Sequence, residues 1–206
     1  MGDEKDFRRE QVRRQRLMSA PANEVPVRLP WSAVLARGED VAVLLVGARL
    51  YSTCMQLDIH VRGRGGAAFD LHMAASGRPD ANGDVLCLGL SGAEGFAATN
   101  LSRSPSAQPD EVPKLTPGGG GGGFGAVATT YLLRPSPPAG PVTLWCAWPV
   151  RGIEETGVEF DGSRLVELAE QVEVLWPLED ETPWSMTPPA PNVPPGGWFA
   201  THAPGG

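Results

Sequence analysis

The stretch from Val41 to Met73 constrains this chain more than any other. It opens with an apolar run, Val41-Ala42-Val43-Leu44-Leu45-Val46, and then alternates. Leu57, Ile59 and Val61 fall on one face, and Gln56, Asp58, His60 and Arg62 on the other. After the glycine-rich break at Gly63, Gly65 and Gly66, Phe69, Leu71 and Met73 alternate with Asp70 and His72. A period of two, rich in β-branched residues, predicts strands half buried against a core.

The rest of the chain reads in the same idiom. Strands are predicted at 41–51, 54–62, 68–74, 85–90, 95–100, 127–133, 142–148, 156–160 and 172–176, with Ala67-Ala68 and Ala74-Ala75 leaving 67–75 open to a helix. Asn82-Gly83 and Asp161-Gly162 read as turns, and Pro135 to Pro141 as a rigid connection. One short helix fits 163–170, with Asp161 or Ser163 as its cap and Leu165, Val166, Leu168 and Ala169 toward the body. Many short strands with almost no helix predict an all-β fold, an antiparallel β-sandwich, Ig-like or similar, with disordered tails. Leu45, Leu57, Ile59, Val61, Leu88, Leu144 and Trp148 are its expected core.

Composition divides the 206 residues into three. Residues 1–24 form a charged helix and linker, 25–176 the sandwich, and 177–206 a tail with eight prolines. Within the sandwich, 101–125 reads as a flexible loop ending in six glycines, Gly118–Gly123. Residues 1–20 hold six basic and four acidic side chains, so the remainder carries 11 basic and 20 acidic groups, a net −9. That sign repels phosphate backbones and argues against nucleic acid as a partner. No secretory h-region follows Met1, and Asp6 stands where a myristoylation signal needs Ser or Thr. The apolar run at 41–48 is far short of the roughly 20 residues that span a bilayer. Cys54, Cys87 and Cys146 are odd in number and widely spaced, which suits free thiols. The expectation is a cytoplasmic protein with no membrane contact.

Chemistry-bearing motifs are sparse. If 54–62 and 68–74 paired as a hairpin, Asp58 would oppose His72 and His60 would oppose Asp70. Four N and O ligands would then share one face, suited to zinc or another borderline metal. The plainer reading, preferred here, is a pair of solvent-facing Asp–His contacts with no metal bound. Asp80-Ala81-Asn82-Gly83-Asp84 opens like a calcium loop, but Val85 replaces the sixth-place glycine and Ser91 the twelfth-place acid. The glycine run lacks the Lys and Ser or Thr of a P-loop. Cys146 reads as a buried structural thiol, and no Gly-x-Ser-x-Gly, His-Glu-x-x-His or Cys-x-x-Cys occurs. No catalytic residue, cofactor or metal is assigned.

Several segments together carry a resemblance: Tyr51-Ser52-Thr53, Leu88-Gly89 with Ala98-Thr99-Asn100, the glycine run, Leu133-Arg134-Pro135 with Pro137-Pro138-Ala139-Gly140-Pro141, and Leu144-Trp145-Cys146-Ala147-Trp148-Pro149-Val150-Arg151-Gly152-Ile153-Glu154. This combination resembles an uncharacterised family of actinobacterial proteins. The resemblance implies a shared fold and brings no activity, ligand or catalytic residue, and His60 and His72 lie outside its pattern. Three functions are therefore weighed. The first is a non-enzymatic sandwich that binds a protein partner, with the N-terminal helix or the Pro-rich tail carrying Trp184, Trp198 and Phe199 as its contact. The second is a ligand- or metal-binding domain using Asp58, His60, Asp70 and His72. The third is a hydrolase with an unrecognised site.

Overall fold

A computed structural model describes residues 19–65, 71, 77, 79, 83–101, 112–123 and 125–177. The N-terminal helix expected at 3–18 and the tail from 178 onward lie outside the described residues, as do Asp70, His72 and all of 102–111.

The described residues contain twelve strands: β1 (Glu24–Val25), β2 (Val27–Leu29), β3 (Ala33–Arg37), β4 (Val41–Leu50), β5 (Met55–Gly63), β6 (Cys87–Ser91), β7 (Ala97–Thr99), β8 (Lys114–Gly123), β9 (Ala126–Arg134), β10 (Gly140–Trp148), β11 (Ile153–Gly162) and β12 (Glu173–Val174). All pairings are antiparallel. The larger sheet runs β2–β4–β5–β9–β8, and β3 shares the β4 edge with β2. The smaller sheet runs β11–β10–β6–β7, and β1 and β12 form a separate ribbon. Pro30 lies between β2 and β3 and cannot donate to a ladder, so two short strands, not one long one, share this edge of β4.

The two sheets bury one apolar core, and the fold is all-β and sandwich-like. Every expected core residue is inside, from Leu45 to Trp148. Strand β4 explains why its sequence is a run rather than an alternation. Val41, Val43 and Leu45 face inward, the register to β5 slips between Leu45 and Gly47, and Ala48 and Leu50 then face inward. Val46 is the extra residue of a β-bulge and lies exposed, which moves the buried set from odd to even positions.

Four expectations need correction. The strand at 68–74 does not pair with β5, because both edges of β5 are taken: Asp58 stands beside Gly47 of β4 and Thr130 of β9. Leu71, the one described residue of 66–76, is helical and fully buried. The glycine run is not loop: Gly120 to Gly123 pair with Thr129 to Ala126, and β8 forms the edge of the larger sheet. Asp161-Gly162 is no turn, since the two residues end β11 opposite Pro141 and Gly140. The helix α1 (Leu165–Ala169) forms where expected, but Val166 points to solvent while Leu165 is buried. Asp161 accepts the Ser163 N–H just before the helix, so the carboxylate organises the turn into it, and hydrogen bonds from the Ser163 hydroxyl and then its N–H hold the carboxyl below the usual range.

Candidate functional site

Asp58 and His60 both point outward from β5, as the alternation requires, and their neighbours decide their chemistry. Arg49 donates to Asp58 Oδ1 at 2.6 Å and the Thr130 hydroxyl donates to the same oxygen at 3.2 Å. His60 Nδ1 lies 2.9 Å from an Arg62 guanidinium nitrogen. Among the described residues, the carboxylate is thus committed to a cation from β4 and a hydroxyl from β9. Among the described residues, no three His, Cys, Asp or Glu side chains gather as metal ligands do.

The most distinctive sequence segment, Trp148-Pro149-Val150-Arg151-Gly152-Ile153, is architectural. Trp148 is fully buried and donates its indole N–H to Asp84 Oδ1 at 2.6 Å. Arg151 lies over the same indole, 5.7 Å from its centroid, and its Nε stands 4.0 Å from Asp84 Oδ2. Pro149–Arg151 is a short 3-10 turn, closed by Gly152 at φ 66°, that returns the chain to Ile153 in the core. Gly38 packs so closely that a Cβ there would sit 2.5 Å from the Arg151 carbonyl oxygen. Asp84, the last acid of the calcium-like run, is therefore a core acceptor.

The thiols are equally structural. Burial pushes Cys54 up to about 11 and Cys146 up to about 12, the reverse of what a nucleophile at neutral pH requires. Asn100 holds the corner before β6, accepting the Leu88 N–H and donating to the Leu86 carbonyl at 2.8 and 2.7 Å.

A groove of about 790 Å³ lies between the β6–β7 turn, the prolines of 135–138 and α1. Phe96, Pro113, Pro137, Val166 and Ala169 give it apolar walls, and Glu94 and Glu170 give it acidic borders. Two features of its lining are unusual. The Ser136 hydroxyl is buried with no hydrogen-bond partner among the described residues. Glu94 sits at φ 57°, ψ 24°, the left-handed region, followed by Gly95 at φ 75°. The Phe96 N–H closes this turn on the Ala93 carbonyl at 3.0 Å. The first central position of such a hairpin turn suits Asn, Asp or Gly; glutamate there is strained by about 1–3 kcal/mol. Strain at a concave surface is a pointer to function.

On the outer face of the smaller sheet lies a second hollow, of about 280 Å³, beside Trp145. Trp145 is 40 % exposed, and its indole N–H donates to the Ser91 hydroxyl at 2.9 Å.

No protein-family model matches the chain, and neither a curated protein nor a solved structure matches it. Among the described residues, no helix is long and apolar enough to cross a membrane. Alternation revealed which faces of β5 and β10 are wet. The groove was invisible in sequence because its walls come from five segments spread from Ser52 to Glu170, and no local pattern marks Glu94 as left-handed.

Proposed function

We propose that this is a non-enzymatic binding protein, and that the groove beside α1 takes an extended apolar segment of a partner protein bearing a basic residue. The observation that carries the reading is Glu94, a carboxylate held in a strained conformation at the border of an apolar groove of about 790 Å³. Concave apolar surfaces with a few placed polar groups are the usual form of a binding site. Glu94 and Glu170 would meet the basic residue, and the unpartnered Ser136 hydroxyl would take a backbone group of the bound segment. A net charge of −9 outside residues 1–20 favours encounter with a basic partner. The raised Cys54 and Cys146 thiols support a binding role over thiol catalysis.

The test is fluorescence anisotropy with the full chain and a labelled peptide of alternating proline and leucine ending in arginine. The arginine peptide should bind, and the same peptide ending in glutamate should not. Val166 is 59 % exposed, so Val166→Arg should leave the melting temperature unchanged while filling the groove with a repelling cation and abolishing binding. Equal binding of both peptides, or binding unaffected by Val166→Arg, would overturn the proposal.

A further inference from the structure

The four strands of the smaller sheet contain no Lys, Arg or His, yet they carry Glu154, Glu155, Glu159 and Asp161. At the centre of its outer face lies Trp145, with a glycine as cross-strand neighbour on each side: Gly89 on β6 and Gly157 on β11. A Cβ at Gly157 would sit 2.9 Å from Trp145 Cζ3 and 3.0 Å from Cε3, so the ring occupies the space a side chain would need. The indole thus extends sideways over β11, tethered at its N–H by Ser91 on β6. Its one donor is spent, which leaves the electron-rich ring to whatever approaches.

Alternation along β11 puts Glu155 and Glu159 on this same face, two residues to either side of Gly157. Thr143, the partner of Glu159, and Ala147 add no opposing charge. The adjoining hollow lies along β6, with Gly89 in its lining and Leu101 and Thr99 among the residues around it. Leu101 is half exposed.

We propose that this face is a second docking site, independent of the groove, for an arginine side chain of a partner protein. An exposed ring attracts a cation, and two carboxylates on the same face complement its charge. A planar guanidinium stacks on an indole and can donate to a carboxylate at the same time, which an ammonium point charge cannot match. A neutral sugar or an apolar peptide would gain nothing from Glu155 and Glu159, and an acidic ligand would be repelled by them.

The experiment measures binding of the full chain to a labelled peptide of three arginines spaced by Gly-Ser, against the same peptide with lysines. The arginine peptide should bind more tightly. Trp145→Ala should weaken it roughly threefold to thirtyfold, and Trp145→Phe less, as expected for loss of a cation–π contact. Glu155→Gln with Glu159→Gln should weaken binding and flatten its salt dependence. Val166→Arg, in the groove, should leave this binding unchanged, which separates this site's failure from that of the groove. The proposal is overturned if Trp145→Ala binds equally well, if the lysine peptide binds as tightly, if Val166→Arg abolishes binding, or if tetramethylammonium displaces the peptide better than guanidinium does.

Discussion

The six consecutive glycines of β8 should respond to alanine with a period of two. A Cβ on Gly118, Gly120 or Gly122 would approach the carbonyl oxygens of Thr130, Ala128 and Ala126 to 3.1, 2.5 and 2.8 Å. Those atoms are backbone of the neighbouring strand and cannot yield without breaking the ladder. At Gly119, Gly121 and Gly123 a Cβ meets nothing within 4 Å. None of the six has a positive φ, so alanine can adopt each conformation. Replacing an open glycine removes unfolded-state freedom and should stabilise by about 0.4–1 kcal/mol. The triple variant at 119, 121 and 123 should therefore gain about 1–3 kcal/mol if the sites add. Alanine at Gly120 or Gly122 should cost about 1–3 kcal/mol, as overpacking does. Urea unfolding followed by far-ultraviolet circular dichroism reads both, as midpoints shifting in opposite directions at constant slope. Equal effects at odd and even positions would refute the strand and return the run to loop.

Other outcomes follow from the buried polar groups. Asp84→Ala should destabilise by about 1–3 kcal/mol, because the Trp148 N–H loses its acceptor in the core, and Asp84→Asn should cost less; chemical denaturation compares them. Asn100→Ala strands the Leu88 N–H and the Leu86 carbonyl and should cost about 2–5 kcal/mol in the same assay. The folded protein keeps the Cys54 and Cys146 thiols protonated up to about 11 and 12, whereas unfolded thiols ionise near 9. Between those values the folded state binds more protons, so stability should fall as pH rises above about 9 and be flat below it, with a shallower slope in Cys146→Ala. In thiol labelling under native conditions, the half-buried Cys87 should react well before Cys54 and Cys146.

How much of this was legible in the sequence differs by element. Leu57-x-Ile59-x-Val61 and Leu144-x-Cys146-x-Trp148 announced their faces, since a side chain's inward or outward direction is a local property of the strand. Partners are not local. Asp58 next to His72 was a reasonable hairpin, but β5 pairs with Ala126–Arg134, about 70 residues on, and the period of two is silent about which strand arrives there. Composition misled at Gly118–Gly123 because glycine shows no alternation: the two faces differ only in what a Cβ would strike. β2 and β3 were missed because Pro26 and Pro30 cut them short and one edge of β4 serves both. Of the candidate site, the outward Asp58 and His60 were legible, while the groove and the Trp145 face required strands far apart in sequence to come together.

Glu94→Asn tests the central claim most directly, with stability and affinity measured on the same preparation. Asparagine tolerates the left-handed region, so the turn should relax and the protein gain about 1 kcal/mol against urea. The same change removes the carboxylate at the groove and should weaken the proline–leucine–arginine peptide by up to about fivefold, the scale of one exposed ion pair. A protein made more stable and a poorer binder is the predicted result. Unchanged affinity in the stabilised variant would contradict the binding role assigned to the groove.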